Sequence, residues 1–429
     1  MLDIQKKLTN SFFIILSLPA TAMGFALSVQ ISALSWILST KYQLDIESIG
    51  YVWASGPLAG IIGQLIIGVI SDKVWLWGGR RKPFILLGGI LASLMLLALP
   101  NIDVISQTLG LSSILWVAII VALTLDLAIN VSFNPTRSII ADVTPQGEAR
   151  TKGYTWMQTI SGMFGVLAYG ISVLFDNYIL IYLGVFLVLI FSFVPPFFIK
   201  EPTVLGRLEG SANPKEEKTK NYLKDLLQIY VAHAFTWLGI QTMFVFAFAY
   251  FKQKMGSADN MLTDNQLGQM IGISFAILNT VGFILPSIVL EPVSRRIGSV
   301  RTHTLAIAVM AIGYLGIVFF GNTPILFYSL MTVVGVGWAA TVSLPFAIMT
   351  EKIDKEKMGF FMGIFNLSVV IPQLIVSFVF GKIIENSADK NIIFIISAAS
   401  LAISALLWLF VKENKIAATE QRITSSGGH

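Results

Sequence analysis

The sequence predicts an all-α membrane protein with twelve transmembrane helices arranged as two pseudo-symmetric six-helix bundles. Three observations support this prediction: the composition, the spacing of apolar segments and the distribution of basic residues. Of the 429 residues, 55% are hydrophobic and 12% are charged, whereas roughly a quarter of the residues in a soluble domain are charged. The chain therefore lacks the polar surface of a water-soluble protein, and a lipid bilayer is its expected environment.

A helix needs about 20 mainly apolar residues to cross the hydrocarbon core of a bilayer. Twelve such segments are predicted at 12–38, 48–71, 83–100, 113–134, 152–174, 178–199, 222–250, 267–290, 303–320, 324–349, 358–381 and 391–411. The first is longer than the apolar part of a cleavable signal peptide and resembles the later spans. We expect an N-terminal bundle over 1–199, a cytoplasmic linker over 200–221, a C-terminal bundle over 222–412 and a disordered cytoplasmic tail over 413–429.

The basic residues predict the orientation. If the N-terminus is cytoplasmic, 24 of the 29 Lys and Arg residues lie on the cytoplasmic side. The positive-inside rule then places both termini in the cytoplasm of a cell whose inner or plasma membrane holds the protein. The sequence pI of about 9.2 follows from these loops and does not indicate a nucleic-acid partner.

The absence of certain residue types and motifs from the sequence disfavours several classes of function. It has no Cys and only three His, so disulfides and a His-rich metal site are not expected. It has no G-x-x-x-x-G-K-[ST] motif, which argues against ATP-driven transport. We expect no cofactor, and a monomer suffices for this fold.

The two halves carry similar loops after their second spans. GVISDKVWLWGGRRKPF runs from Gly68 to Phe84, and EPVSRRIGSVR runs from Glu291 to Arg301. Repeated six-span halves with a substrate site between them are typical of major-facilitator transporters. The residues Gly68, Asp72, Arg80 and Arg81 resemble that superfamily's loop between the second and third spans. The resemblance implies a conformational latch on the cytoplasmic face; the alternative is a loop that only sets the topology.

Asp126 is the most informative residue, because it lies in the apolar segment WVAIIVALTLDLAINVSF. An ionised carboxylate at the bilayer centre costs roughly 2.5–3.5 kcal/mol or more, so this side chain should face the bundle interior. A carboxyl group that can bind and release a proton is what a proton-coupled carrier needs. The same helical face continues with Asn130, Asn134 and Arg137. The alternative is a structural carboxylate that is hydrogen-bonded to neighbouring helices.

Three segments resemble the sucrose–proton symporter family of plants and its animal and bacterial relatives. They are GPLAGIIGQLIIGVISDK with GRRKPFILLG, DLAINVSFNPTRSIIADV from Asp126, and SLPFAIMTEKIDKEKMGFFMGIFNLSVVIPQLIVS from Ser343. The resemblance implies proton-coupled uptake of a glucoside, with Asp126 as the proton acceptor and Arg137 as a coupling residue. One segment departs from that family, because Ala247 and Ala249 stand where its plant members have Asp in the seventh span. The stoichiometry and substrate of those members are therefore not carried over.

Sugars are bound by amides, hydroxyls and aromatic faces. The candidates for sugar contacts are side chains predicted to lie inside the bundles: Gln30, Asn130, Gln158, Trp237, Gln241, Asn366 and Gln373. Amides in membrane helices also join neighbouring helices by hydrogen bonds, and Trp residues often lie at the membrane interface.

Three functions are consistent with these patterns. The first is proton-coupled symport of a disaccharide or glucoside, similar to sucrose or maltose, by alternating access. The second is a proton-coupled exporter of drugs or metabolites on the same fold, for which a broad apolar cavity would be expected. The third, a membrane enzyme or non-transporting receptor, is disfavoured because the sequence shows no nucleophile–base pair or metal cluster.

Overall fold

The computed structural model describes residues 3–61, 75–111, 113–145, 148–202, 222–256, 262–350, 352 and 358–413. Within these residues, 10 helices are long and apolar enough to cross a membrane, and a shorter apolar helix spans Ile392–Trp408. One further helical segment, from residue 46 to residue 61, begins the second predicted span. Apart from a single bridge between Leu76 and Gly79, the described residues contain no β-structure. The all-α membrane fold predicted from the sequence is confirmed.

The chain forms two compact units. The first comprises residues 1–213 and 263–272, and the second comprises residues 214–262 and 273–429. In the first half of the chain the main helices are α1 Asn10–Thr40, α2 Ile46–Trp53, α3 Lys82–Ala98, α4 Ile114–Val143, α5 Glu148–Leu174 and α6 Asn177–Phe193. Short helices lie at Asp3–Lys6, Ile102–Thr108 and Pro195–Phe198.

The second half of the chain repeats this series. Its main helices are α7 Tyr222–Lys254, α8 Asp264–Leu285, α9 Ser299–Phe320, α10 Pro324–Thr350, α11 Met358–Ile375 and α12 Ile392–Trp408. Short π-helical turns follow α8 at Pro286–Leu290 and α11 at Val376–Phe380, and short α-helices span Glu291–Ile297 and Gly381–Asn386.

The two units pack their helices in the same way. In the first unit α1 packs on α5 and α6, and α3 packs on α4 and α6. In the second unit α7 packs on α11 and α12, and α9 packs on α10 and α12. Each contact in one unit thus recurs six helices later in the other, which is the pseudo-symmetry expected from the repeated loops.

Local sequence explains several helix ends and contacts. Thr9 and Asp176 accept hydrogen bonds from the backbone N–H groups of Phe12 and Ile179, and so cap α1 and α6. Helix α4 runs to Val143 rather than ending near residue 134, because Pro135 is accommodated within it. In α3, a Cβ at Gly88 would lie 2.0 Å from Oγ of Ser132, so only glycine lets α4 approach this closely.

Candidate functional site

Asp126 lies inside the first unit, and its carboxylate is held by two neutral donors. Its side chain is only 4% exposed. Oδ2 accepts a hydrogen bond of 2.7 Å from Oγ of Ser55 and one of 3.1 Å from Nε2 of Gln30. Three segments of the first unit therefore converge on this carboxyl group: α1, α4 and the helical residues that follow α2.

The backbone also approaches the carboxylate closely at Gly56. A Cβ built there would lie 3.5 Å from Oδ2 of Asp126, which is ordinary van der Waals contact. Among the described residues no Lys, Arg or His side chain is paired with Asp126, and its interacting side chains are Ser55 and Gln30. A buried carboxylate normally has a cation or several donors to offset its charge. In the described part of the chain, the carboxyl group of Asp126 is therefore hydrogen-bonded to neutral side chains only.

The remaining polar residues of this face of α4 lie nearer its end. The amide of Asn130 donates to the backbone carbonyl of Asp126 at 2.8 Å. Arg137 is exposed as a residue, and Cζ of its guanidinium lies 4.1 Å from the ring centroid of Phe133. Arg137 follows Asp126 by eleven positions, which corresponds to about 16 Å along the helix. The two predicted coupling residues therefore share a helix face without forming an ion pair.

The loop before α3 is joined to two carboxylates. Nε of Arg81 lies 2.9 Å from Oδ2 of Asp142 at the end of α4, and these side chains are 7% and 12% exposed. Arg80 lies over the ring of Trp75 at 5.8 Å from its centroid. The other two predicted latch residues, Gly68 and Asp72, lie outside the described residues.

The second carboxylate at this loop is that of Glu201, which caps the N-terminus of α3. It accepts hydrogen bonds from the backbone N–H groups of Arg80, Arg81 and Lys82 at 2.7, 2.9 and 2.9 Å. A Cβ at Gly79 would lie 2.3 Å from Oε1 of Glu201, so the carboxylate occupies space that only glycine leaves open.

An equivalent cap exists in the second unit. Glu413 accepts from the backbone N–H groups of Ser299 at 2.7 Å and of Val300 at 3.2 Å. It lies beside Gly298, whose φ of +95° favours glycine. Because of this cap, α9 begins at Ser299, four residues before the predicted start of the ninth span. Neither cap was predicted from the sequence. A repeat could have revealed them, because residues 198–201 read Phe-Ile-Lys-Glu and residues 410–413 read Phe-Val-Lys-Glu.

Amide and aromatic groups meet within the second unit. Nε2 of Gln373 on α11 donates to Oε1 of Gln241 on α7 at 3.2 Å. Trp237 precedes Gln241 by one helical turn, and its ring lies 6.3 Å from that of Trp338 on α10 at an interplanar angle of 81°. Trp338 also contacts Phe244, with a centroid distance of 5.3 Å. The structure thus brings Gln241 and Gln373 together, and Trp237 lies one turn before Gln241 on the same helix.

The other candidate sugar contacts are more dispersed. Gln30 is bound to Asp126, as described above. Gln158 on α5 is exposed, and Asn366 on α11 is partly buried. Ala247, at the position where the plant symporters have Asp, is buried on α7.

Among the described residues, 10 apolar helices long enough to cross a membrane and one shorter apolar helix form two similar halves with polar groups inside each, which is typical of a multi-pass membrane transporter. The sequence profile of the major facilitator superfamily matches residues 16–377. The chain therefore belongs to this superfamily, and it is a transporter rather than an enzyme.

The chain is similar over most of its length to a plant protein. The sucrose transport protein SUC4 of Arabidopsis thaliana is 24% identical over 392 residues, which cover 76% of this chain and 75% of that protein. The general alpha-glucoside permease of Schizosaccharomyces pombe is 32% identical over 124 residues, or 28% of this chain and 22% of that protein. Among solved structures, a D-xylose-proton symporter has a TM-score of 0.70 at 15% identity and covers 94% of this chain and 98% of its own.

Proposed function

We propose that this protein is a secondary transporter that couples entry of a sugar to entry of protons, with Asp126 as the proton-carrying carboxylate. The observation that carries the proposal is the neutral environment of a buried carboxylate. Asp142, by contrast, lies 2.9 Å from the guanidinium of Arg81 and so has a fixed counter-charge. Within the described residues, Asp126 has only a hydroxyl and an amide as donors and no cation beside it, so a proton can neutralise its charge.

The proposed substrate is a disaccharide or glucoside, similar to sucrose or maltose. The names of the sucrose transport protein and of the alpha-glucoside permease support this substrate class. The chemistry of the second unit also supports it, because this unit contains the hydrogen-bonded amide pair Gln241–Gln373 and the indole rings of Trp237 and Trp338, which contact each other. Amides bind sugar hydroxyls, and indole faces cover the C–H surface of a pyranose ring.

The proposed cycle is alternating access. Asp126 binds a proton before the sugar binds. On the cytoplasmic side the sugar leaves first, and Asp126 then releases its proton. Because Ala247 and Ala249 carry no charge, one proton per sugar is the stoichiometry that Asp126 alone supports. Arg137 is proposed to favour proton release by offering positive charge at the cytoplasmic end of the same helix face. The loop with Gly68, Asp72, Arg80 and Arg81 is proposed to hold the cytoplasmic side of the transporter closed. Both termini of the chain are proposed to lie in the cytoplasm.

Uptake into proteoliposomes tests this proposal. Labelled sucrose and maltose are offered with an inward proton gradient, with and without a protonophore, to the wild type and to Asp126→Asn. We expect uptake of at least one of the two sugars that the protonophore abolishes and that the mutant lacks. Uptake that persists unchanged in the mutant would refute the role of Asp126, and a carrier that moves neither sugar would refute the substrate class.

A further inference from the structure

An exposed aromatic turn precedes α3, and the proposed transport cycle does not use its side chains. The turn comprises residues 75–78, and Trp75, Leu76 and Trp77 within it are 40%, 52% and 65% exposed. Contiguous apolar surface that is open to solvent is typical of an interaction site. The turn is therefore expected to contact something other than water.

The backbone holds this aromatic turn in one shape. The N–H groups of Leu76 and Gly79 each donate to the carbonyl of the other residue at 3.0 Å, which closes a two-residue hairpin. The two residues between them, Trp77 and Gly78, have φ values of +51° and +75°, as in a type I′ turn. Asn, Asp or Gly usually fills the first of these positions, and a bulky residue rarely adopts this backbone. Local turn preference therefore does not account for an indole at the tip of the hairpin.

The aromatic turn is fixed at the end of the first unit where α3 begins and α6 ends. Glu201, which follows α6, accepts hydrogen bonds from the backbone N–H groups of residues 80–82, directly after the turn. Shortly before Glu201, Phe197 and Phe198 are 69% and 41% exposed. The third predicted span begins at residue 83 and the sixth ends at residue 199. Both aromatic segments therefore lie at the expected membrane–water interface, where Trp side chains concentrate.

Basic side chains border the aromatic turn. Lys200 is exposed, and Arg80 and Lys82 are partly exposed. The two carboxylates at this loop face inward, one toward the backbone of α3 and the other toward the guanidinium of Arg81. The outer surface beside the turn is therefore positively charged, and Lys and Arg near a membrane surface are attracted to anionic lipid head groups.

The pseudo-symmetric position in the second unit has no such turn. The segment before Gly298 and α9 is the short helix Glu291–Ile297, which has two basic residues, Arg295 and Arg296, in its last turn and no aromatic residue. The fold thus makes the equivalent connection without exposed Trp side chains. The aromatic turn is therefore not needed to build the bundle, which favours a role in binding.

We propose that the aromatic turn is a lipid anchor. Trp75, Leu76 and Trp77 enter the membrane interface at this end of the protein, and Arg80 and Lys200 bind the anionic head groups of phospholipids beside them. The predicted orientation makes this the cytoplasmic leaflet, which is the negatively charged one. Indole rings suit this place because they join an apolar body to a polar N–H group. The anchor does not depend on the transported substrate.

The position of the turn is tested by electron paramagnetic resonance of the full-length protein in lipid nanodiscs. Because the chain has no Cys, a single nitroxide can be attached at Leu76→Cys. The exposed residues Leu94, on α3, and Lys7 supply the lipid and water controls as Leu94→Cys and Lys7→Cys. We expect the label at Leu76 to collide more often with oxygen, which concentrates in lipid, than with a water-soluble nickel complex. Replacement of Trp75 and Trp77 by Ser should reverse this preference. A Leu76 label that behaves like the Lys7 label, or that neither reagent reaches because protein covers it, would overturn the proposal.

The head-group preference is tested with a fluorophore at Leu76→Cys and with phospholipids that carry a nitroxide quencher. Labelled phosphatidylglycerol should quench the fluorescence more than equally labelled phosphatidylcholine at the same mole fraction. One cation near an anionic membrane surface changes the local preference about fivefold, so Lys200→Gln should reduce the difference by up to about that factor. Arg296→Gln, in the equivalent loop of the second unit, is the control and should leave it unchanged. Equal quenching by the two lipids in the otherwise unaltered protein would overturn the anionic site.

Discussion

Two carboxylates of α4, one near its middle and one near its end, have different nearest neighbours. Asp142 faces the guanidinium of Arg81 at 2.9 Å, and this pair joins the end of α4 to the loop before α3. Asp126 faces the hydroxyl of Ser55 and the amide of Gln30. The first carboxylate is fixed by a permanent opposite charge, whereas the second has only neutral donors, which suits a group that gains and loses a proton.

Removal of the shorter hydrogen bond to Asp126 should weaken transport. Hydrogen bonds to charged groups are worth about 1.5–3 kcal/mol, so we expect Ser55→Ala to lower the maximal rate of proton-driven sugar uptake about tenfold or more. Ser28→Ala is the matched control, because Oγ of Ser28 donates to the Gly24 carbonyl within α1. If Ser55→Ala takes up sugar at the wild-type rate, the hydrogen bond between Ser55 and Asp126 is not needed for transport.

Loss of the charge on Asp142 should destabilise the first unit. The Arg81 guanidinium would stay buried without its counter-charge, at a cost of about 3–5 kcal/mol. We therefore expect Asp142→Asn to lower the apparent melting temperature in detergent by several degrees. Asp103→Asn is the control, since Asp103 pairs with Lys41 at 3.2 Å in a much more exposed position and such pairs contribute about 0–1 kcal/mol. Equal melting temperatures for the two variants would contradict this account.

At the scale of helices, α3 in the first unit and α9 in the second unit have N-termini that are capped in the same way. A glutamate that follows the last main helix of each half accepts hydrogen bonds from backbone N–H groups at the start of α3 or α9, and a glycine makes room for it. The carboxylate also interacts favourably with the positive end of the helix dipole. The paired caps therefore fix the loops before α3 and α9, which include the predicted latch residues Arg80 and Arg81.

Substitution of the glycine should disturb the cap of α9. In Gly298→Ala, a Cβ would lie 2.5 Å from Oε2 of Glu413, and a residue other than glycine at this φ of +95° and ψ of 154° costs on the order of 1–3 kcal/mol. We expect a lower melting temperature in detergent. Gly60→Ala is the control, because nothing lies within 4 Å of a Cβ at Gly60. Unchanged stability of Gly298→Ala would mean that the cap contributes nothing.

The sequence predicted the helices and the interior position of Asp126 because both follow from the cost of polar groups in lipid. It did not predict the partners of that carboxylate. Ser55 lies in an apolar run where a single hydroxyl gives no periodic signal, and Gln30 was a candidate for sugar contact rather than for binding Asp126. The bond from Trp237 to His233 was detectable only as a spacing of four residues. Contacts between distant segments, such as Gln241 with Gln373, require the packed structure.

At the scale of the whole molecule, the absence of cysteine makes the orientation directly testable. Single cysteines can be introduced without a background, since the chain contains none. Lys7 and Gln107 are both exposed, and the distribution of basic residues places Lys7 in the cytoplasm and Gln107 outside. We expect a membrane-impermeant maleimide to label Gln107→Cys in intact cells and Lys7→Cys only after permeabilisation. The reverse pattern would invert the predicted topology.

The repeated packing of the two units is consistent with alternating access, in which two similar bundles expose a substrate to each side of the membrane in turn. The units differ in their polar groups. The first contains the carboxyl group of Asp126, and the second contains the amide pair Gln241–Gln373 and the indoles of Trp237 and Trp338. We therefore expect variants of the first unit to affect proton coupling most, and variants of the second to affect sugar affinity most.

The most direct test of the central claim is the electrical current that sugar evokes in proteoliposomes adsorbed to a solid-supported membrane. A jump in sucrose or maltose concentration, with no other cation gradient, should produce an inward positive current in the wild type that grows at acidic pH. Asp126→Asn should give no steady current while it still exchanges labelled for unlabelled sugar across the membrane. Sugar exchange without current in the wild type, or a wild-type current in Asp126→Asn, would contradict proton coupling through Asp126.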